Sequence, residues 1–217
     1  MDGLSLNPIY YTSEHLAFAD SVKRFVEKEI SPYVNEWDEA GSFPRALYQQ
    51  AANVGLMGLG YDAEHGGIPD ADAFYVMLAA IEMAKAGSGG VHISLMIHSI
   101  GTPPIHHFAR PEIRDEVMPQ IIAGEKISAL AITEPSGGSD VAAIKTKAVR
   151  EGDHYILNGE KIFVTAGERC NAVVVWATLD KGIGKAAIKS FVVEKGTPGM
   201  EVARLEKKLG IKASDTA

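Results

Sequence analysis

The sequence predicts an α+β protein in which a helical first part is followed by a β-rich second part. Up to about residue 125, apolar residues recur at the intervals that amphipathic helices require. After Lys126 the chain changes to short runs of β-branched residues separated by Gly, Asn and Asp. Elements segregated in this way favour separate helical and sheet regions over a βαβ fold. We therefore predict an N-terminal all-helical domain over residues 1–125 and an antiparallel β-barrel or sandwich domain over 126–217, incomplete at its C-terminus.

The helix limits are predicted from capping residues and prolines. Ser13 is a suitable N-cap for a first helix that extends to Ile30, where Ser31-Pro32 stops it and can begin a short second helix. A further helix should begin after Ser42-Phe43-Pro44. The remaining helices are expected over residues 71–85, over residues 91–100 as a buried helix, and from Pro111 to about Pro119.

The strands of the second part are predicted from short apolar or alternating runs bounded by turn residues. Glu151-Gly152-Asp153 should form a tight turn, and Asn158-Gly159 is a strong signal for a two-residue hairpin. The predicted strands cover residues 127–133, 145–150, 154–157, 161–165, 172–178 and 188–193.

The composition is that of a soluble globular protein, with 46% hydrophobic and 23% charged residues. The formal net charge of −7 provides no basic stripe for nucleic acid. No secretory signal is visible, and no apolar run approaches the roughly 20 residues of a membrane helix. The single cysteine, Cys170, excludes an intrachain disulfide and is expected to be a buried structural thiol. We expect a cytoplasmic protein that binds neither nucleic acid nor a membrane.

Residues 130–140 form the first segment with chemical potential, a strand that continues into a loop of Pro, Gly and Ser. Gly137 and Gly138 allow the backbone to turn and to approach a ligand closely. Successive N–H groups in such a loop make a concave anion site, to which Thr133, Ser136 and Ser139 would add hydroxyl groups. The segment could hold a pyrophosphate beside a flat ring. An ordinary strand-to-loop turn explains the same residues, and the segment alone leaves both interpretations open.

Residues 158–167 form the second segment, a predicted hairpin turn followed by Phe163, Val164 and Thr165. An aromatic side chain and a hydroxyl group could pack on a ring and donate a hydrogen bond to a heteroaromatic nitrogen. A strand packed in the core is the alternative, and periodicity alone favours it.

Together the two segments resemble acyl-CoA dehydrogenases. The family pattern of Thr-Glu-Pro, a variable pair and then Gly-Ser-Asp is matched by residues 133–140. The pattern Asn-Gly-x-Lys-x-aromatic-aliphatic-Thr/Ser is matched by residues 158–165. The resemblance covers nearly the whole chain, through Thr197-Pro198-Gly199 to Ser214-Asp215-Thr216, and the order of a helical and then a β domain agrees with it.

The resemblance implies an FAD site in the second part of the chain. The strand end should contact the flavin ring. The loop that contains Gly137 and Gly138, called the glycine loop below, should meet the pyrophosphate. Thr165 should hydrogen-bond near flavin N5. Phe163 occupies a position where many members have Trp, and Val164 should contribute backbone contacts. The implied cofactor residues are Leu130, Ile132, Thr133, Gly138, Ser139, Phe163, Val164 and Thr165.

The resemblance also implies a site for an acyl-CoA substrate. Leu95, Met96 and Ser99 would lie near the floor of the acyl pocket, Ser139 near the thioester channel, and Lys185 near the CoA moiety. Residues 91–100 could instead be core, and the lysine-rich loop around Lys185 could be a solvated loop. The histidines of the first part fit no common ligand spacing, so no metal is predicted.

The implied reaction is α,β-dehydrogenation of an acyl-CoA thioester, in which a glutamate removes the α-proton and a hydride passes to flavin N5. The family keeps that base in a C-terminal helical domain, so no catalytic residue is assigned in this chain, Glu134 included. The 217-residue chain alone is expected to be inactive, as a truncated product or processed fragment would be.

Several points are left open by the sequence. A flavin oxidase or monooxygenase of the same superfamily shares these motifs, and a non-catalytic fragment that binds CoA or a partner is a further alternative. The resemblance implies an electron-transfer flavoprotein as partner, and a homo-oligomer, tetramer or dimer, for the complete protein. The Gly-x-Gly-x-x-Gly pattern of a nicotinamide site is absent.

Overall fold

The computed structural model describes residues 9–217, which form two compact units. The helical unit comprises the described residues up to Met96, together with Asp115–Glu125 and Lys208–Ser214. The sheet unit comprises Ile97–Arg114, Lys126–Lys207 and Asp215–Ala217. The chain thus passes between the units more than once, and a single domain boundary at residues 125/126 stays a prediction.

The helical unit is built around α1 (Ser13–Phe25), which continues into a π-helical turn, Val26–Ile30. The unit also contains α2 (Val34–Ala40), α3 (Ala46–Asn53), α4 (Ala73–Ala84) and α5 (Gly89–Met96). α1 packs against α4 through apolar faces, and the Tyr48 hydroxyl inside the unit donates to the Ser94 carbonyl at 3.0 Å. None of the helices within residues 9–217 is both long and apolar enough to cross a membrane.

The sheet unit begins with two short helices, α6 (His98–Gly101) and α7 (Pro103–Phe108). α8 (Pro111–Ile122) starts in this unit and ends in the helical unit. α7 was not predicted, because a single turn begun by Pro103 lacks the repeated apolar spacing on which the prediction depended.

Several helix limits differ from those predicted. The N-cap of α1 is Thr12, whose hydroxyl accepts a hydrogen bond from the His15 N–H at 3.3 Å, and not Ser13. The helix predicted over residues 91–100 is divided between α5 and α6, and its Ile100 is 54% exposed. α8 continues through Pro119 to Ile122, with Met118, Ile121 and Ile122 buried, although a proline inside a helix removes one backbone hydrogen bond and crowds the preceding turn.

The sheet contains β1 (Ser128–Ala131), β2 (Lys147–Glu151), β3 (His154–Asn158), β4 (Ala172–Thr178) and β5 (Ile188–Glu194). β4 is central: it pairs in parallel with β1 and antiparallel with β5 along its length. β2 joins β4 in parallel at Lys147↔Thr178 and forms an antiparallel hairpin with β3. The order of helices and then a sheet is confirmed.

The sheet is mixed, however, and the antiparallel pairing that was expected holds for the β2–β3 and β4–β5 pairs alone among the described strands. Its described strands follow the path β1-β4-β2-β3 with β5 beside β4, and this path does not close into a barrel. β1 and β4 can pair in parallel because a long stretch of chain, which contains the whole β2–β3 hairpin, connects them. A connection of that length permits a parallel crossover.

The predicted strand over residues 161–165 is wrong, and so is the hairpin at Asn158-Gly159. Phe163 has a left-handed φ of 58°, which interrupts an extended strand. Gly159 is required for a close approach, since a Cβ atom there would lie 2.3 Å from the Thr146 hydroxyl oxygen. The tight turn expected at Glu151-Gly152-Asp153 is present between β2 and β3, with Gly152 at φ 64°.

Gly159→Ala should therefore lower the free energy of unfolding by about 1–3 kcal/mol, because the added methyl group overlaps with both backbone and side-chain atoms of Thr146. Urea denaturation of the chain measures the change. Gly137→Ala is the matched control, since a Cβ atom at Gly137 meets nothing within 4 Å. Equal loss of stability in both variants would contradict the close approach at Gly159.

Candidate functional site

Glu134, just after β1, is a buried carboxylate that fixes the root of the glycine loop. It is 4% exposed, and its backbone N–H and C=O pair with those of Gly137 across a tight turn. Its Oε2 accepts from the Lys145 N–H at 2.7 Å. Its Oε1 accepts from the Thr146 N–H at 2.8 Å, the Thr146 hydroxyl at 2.5 Å and Lys161 Nζ at 2.9 Å. One side chain thus fastens the loop to the chain that enters β2.

The surroundings of Glu134 keep it ionised. Burial by itself would raise the pKa of Glu134, but hydrogen bonds from Thr146, Lys145 and Lys161 outweigh burial and lower that pKa to about 2. For Lys161, burial lowers the pKa more than the Glu134 carboxylate raises it. A carboxylate with so low a pKa and with its oxygens already bonded is a poor proton acceptor at neutral pH. Glu134 is a structural anchor.

Lys161 joins the two motifs. Its Nζ donates to the Ile132 carbonyl at 2.9 Å as well as to Glu134, and the next residue, Ile162, donates its N–H to the Thr133 carbonyl at 2.9 Å. The second motif therefore lies directly along the end of β1. Sequence reasoning gave Lys161 no role, although a lysine followed by an apolar run is a signal that could have found it.

Phe163 is held in a conformation that is costly and that buries little of its ring. Phe163 and Ala166 have φ angles of 58° and 59°, a left-handed conformation that costs a non-glycine residue about 1–2 kcal/mol. Phe163 is nevertheless 60% exposed, so apolar burial does not offset this cost. Backbone strain that persists without a packing reason is typical of functional sites.

The neighbours of Phe163 are tied to the last residues of the chain. The Val164 N–H donates to the Ala217 carbonyl at 2.8 Å, and the Ala217 N–H donates back to the Val164 carbonyl at 2.9 Å. Both backbone groups of Val164 are therefore engaged within the chain. Thr165 is half-buried and forms an antiparallel bridge with Thr216.

The glycine loop is open to solvent at the end of a half-buried strand. Leu130, Ile132 and Thr133 are half-buried, whereas Gly138 and Ser139 are exposed. A Cβ atom at Gly138 would lie 3.2 Å from the Thr133 methyl group, so the loop backbone passes close to the strand end. Such an exposed loop backbone can approach a large anion closely.

Lys185 lies exposed in the 3₁₀ segment Lys181–Ala187. That segment contacts the 3₁₀ turn Val141–Ala143, which directly follows the glycine loop. The Asp180 carboxylate caps the segment by accepting from the Gly182 N–H at 2.7 Å. The sheet unit thus brings the lysine-rich loop next to the first motif.

The three residues predicted for the acyl pocket differ in burial and do not all lie in the same unit. In the helical unit, Leu95 on α5 is completely buried, as the core interpretation predicts, and Met96 is half-buried. In the sheet unit, Ser99 is exposed on α6, which packs against β1. The Thr102 hydroxyl that follows α6 lies 2.8 Å from the hydroxyl of Ser128 on β1. The pocket assignments of these residues stay predictions.

The chain matches the family model for the N-terminal domain of acyl-CoA dehydrogenases over residues 12–125, and that for their middle domain over residues 129–217. It is 34% identical over 209 residues to an acyl-CoA dehydrogenase of Bacillus subtilis, in an alignment that covers 96% of this chain and 55% of that protein. The chain belongs to the acyl-CoA dehydrogenase family, which confirms the resemblance inferred from its motifs.

Solved structures have the same fold. A probable acyl-CoA dehydrogenase from Mycobacterium abscessus aligns with a TM-score of 0.90 and 38% identity over 95% of this chain and 55% of its own. A glutaryl-CoA dehydrogenase from Mycobacterium smegmatis in complex with FADH2 aligns with a TM-score of 0.88 and 28% identity, over 97% of this chain and 53% of its own. The chain spans about half the length of these relatives.

Glu134→Gln should lower the free energy of unfolding at pH 7 by about 3 kcal/mol or more, because it leaves the Lys161 ammonium buried without its counter-charge. Folding lowers the pKa of Glu134, so its stabilisation is present above the unfolded-state pKa and is lost as pH falls towards about 2. Urea denaturation of the wild type should thus show stability falling between about pH 5 and about pH 2, with a smaller slope in the variant.

The matched control is Glu160→Gln, the same substitution at an exposed position of the second motif. It should leave both the stability at pH 7 and the slope with pH close to those of the wild type. Identical slopes in the wild type and in Glu134→Gln would contradict the lowered pKa of Glu134.

Cys170 should be inert in the folded chain. It is 1% exposed, its thiol donates to the Gly167 carbonyl at 3.4 Å, and burial raises its pKa to about 11. At pH 8 the reactive thiolate is therefore scarce, and a chromogenic disulfide reagent should label Cys170 only after urea is added. Rapid labelling of the native chain would contradict its burial.

Proposed function

We propose that this chain forms the flavin-facing part of an FAD-dependent dehydrogenase that introduces an α,β double bond into an acyl-CoA thioester. The observation that carries the proposal is the bonding of the two motifs at one strand end through Lys161 and Ile162. Membership of the acyl-CoA dehydrogenase family supports the cofactor and the general reaction. FAD, when bound, supplies the acceptor for the hydride.

The residues around the strand end fit a flavin in shape and polarity. Phe163 offers an exposed aromatic face, and the side chains of Leu130 and Ile132 are half-buried; apolar surfaces of this kind suit one side of a flat ring. In this proposal the Thr133 and Thr165 hydroxyl groups bond to the polar edge of the ring. Val164, whose backbone is bonded to Ala217, holds the chain between Phe163 and Thr165 in place.

The glycine loop fits a pyrophosphate. Gly138 and Ser139 are exposed, and their N–H groups together with the Ser139 hydroxyl can donate to phosphate oxygens. The loop is anchored at its root by the buried Glu134, so it holds its donors in place without being covered itself. Ser139 would also lie near the thioester end of the substrate.

An acyl-CoA thioester is proposed as the substrate. Leu95, Met96 and Ser99 are proposed to contact its acyl chain, and the ammonium of the exposed Lys185 is proposed to attract a phosphate of CoA. Polar donors around the thioester carbonyl would stabilise the charge that develops when the α-proton leaves.

The proton acceptor is proposed to be a residue outside these 217 positions. Glu134 is engaged in four hydrogen bonds and has a pKa of about 2, so it does not fill that role. The chain alone should therefore bind FAD without oxidising acyl-CoA. We propose an electron-transfer flavoprotein as the electron acceptor, and a homo-oligomer, dimer or tetramer, for the complete enzyme.

The test is a titration of the flavin-free chain with FAD, followed through flavin fluorescence. Phe163→Ala should raise the dissociation constant roughly fivefold, since an aromatic contact contributes about 1 kcal/mol. Phe108→Ala is the matched control, because Phe108 lies on α7 and is 82% exposed. Equal affinities of the wild type, Phe163→Ala and Phe108→Ala for FAD would show that Phe163 does not contact the flavin.

The same titration separates the proposal from a non-catalytic fragment that binds CoA. A chain that does not bind FAD but does bind acyl-CoA would replace the proposed function with that of a CoA-binding fragment. Addition of acyl-CoA to the FAD-loaded chain should leave the visible flavin spectrum unbleached, and bleaching would place a proton acceptor within this chain.

A further inference from the structure

We propose that Asp215 is a positioning residue that holds residues 163–166, in which Phe163 and Ala166 have left-handed φ angles, and so sets the orientation of Phe163. This inference rests on the proposed function, because the orientation of Phe163 matters only if its ring faces the flavin. Asp215 is remote in sequence from both motifs, and nothing in the motif patterns gives it this role.

The Asp215 carboxylate binds the turn that follows Thr165. Its Oδ2 accepts from the Glu168 N–H at 2.8 Å and from the Arg169 N–H at 3.3 Å. Its Oδ1 lies 2.7 Å from Arg169 Nε, in an ion pair whose side chains are 8% and 15% exposed. Its backbone carbonyl accepts from the Ala166 N–H at 3.0 Å. A single residue therefore holds the turn through both its side chain and its backbone.

The two residues after Asp215 continue the attachment towards Phe163. Thr216 bridges Thr165, and Ala217 exchanges two hydrogen bonds with Val164. The fit is tight, because a Cβ atom on Gly167 would lie 2.7 Å from the Ala217 methyl group. These bonds hold residues 164–167 in a fixed register against residues 215–217. Phe163 lies immediately before residues 164–167.

This attachment explains how the strained conformation persists. Phe163 and Ala166 both have left-handed φ angles, and a ring that is 60% exposed gains little from burial. Bonds from outside the segment must therefore hold the backbone. Because hydrogen bonds to a buried charge are stronger than neutral ones, the Asp215 carboxylate is the strongest of these restraints.

A positioning role and a purely structural role lead to different measurements. Loss of a structural residue would destabilise the whole sheet unit, including central β4 (Ala172–Thr178). Loss of a positioning residue should release residues 163–170 while β4 keeps its protection, because local openings are distinct from global unfolding.

The experiment compares the full chain with Asp215→Asn, which removes the charge and one of the two acceptor oxygens. Amide hydrogen exchange of the flavin-free protein should become about tenfold or more faster in residues 163–170 and stay unchanged in β4. FAD titration should show a dissociation constant about tenfold higher. The absorption maximum of the bound flavin should shift, since the ring would contact a reoriented Phe163.

Asp153→Asn is the matched control, because the Asp153 side chain is 101% exposed in the β2–β3 turn. It should match the wild type in every measurement. If Asp215→Asn does not fold, Arg169→Gln is measured by the same criteria, since it breaks the ion pair and leaves the carboxylate in place.

The outcomes separate this inference from the proposed function. Unchanged exchange in residues 163–170, or equally faster exchange in β4, would overturn the positioning role. Faster local exchange with unchanged FAD affinity and spectrum would overturn its effect on the flavin and leave the proposed function intact. A wild-type chain that does not bind FAD would overturn the proposed function and with it any flavin role for Asp215, while exchange would still show whether Asp215 holds the segment.

Discussion

The buried ion pair between Glu134 and Lys161 is the interaction on which the arrangement of the sheet unit depends. It connects the end of β1, the entry to β2 through Lys145 and Thr146, and the segment before Phe163. Burying two charges is costly, and the pair is tolerated because the carboxylate is also bonded to neutral donors that satisfy its remaining lone pairs. The consequence is a glycine loop that is open to solvent yet rooted in a rigid position, which suits a cradle for a phosphorylated cofactor.

A second constraint acts on the residues that follow Phe163. Phe163 and Ala166 occupy backbone conformations that residues other than glycine seldom adopt, and the residues around Asp215 hold them there. Strain at one segment is thus balanced by charge-assisted hydrogen bonds from another that is about 50 residues away in sequence. The anchor at Glu134 and the attachment at Asp215 fix the backbone before and after Phe163 in sequence, and the ring of Phe163 stays 60% exposed, as a site for a flat ligand requires.

The parts of the fold that follow local rules were predictable. Apolar spacing located α1 and α4, Pro111 located the start of α8, and the Gly152 turn between β2 and β3 followed from turn chemistry alone. The predictions failed where distant contacts decide. Asn158-Gly159 has the composition of a hairpin turn, but Gly159 serves to let the chain pass against Thr146. Residues 161–165 have the β-branched and aromatic composition of a strand, but bonds to Thr133 and Ala217 bend them into a loop.

The sequence by itself determined the order of a helical and a sheet region, the two motifs and, through them, the family to which the chain belongs. These features are written in local composition and short patterns, which need no knowledge of distant contacts. Only the tertiary structure decided that the sheet is mixed, that Glu134 anchors the glycine loop, and that Lys161 and Asp215 hold the candidate site together. The physical reason is that burial, ion pairing and backbone strain depend on contacts between residues far apart in sequence, and local sequence patterns do not reveal such contacts.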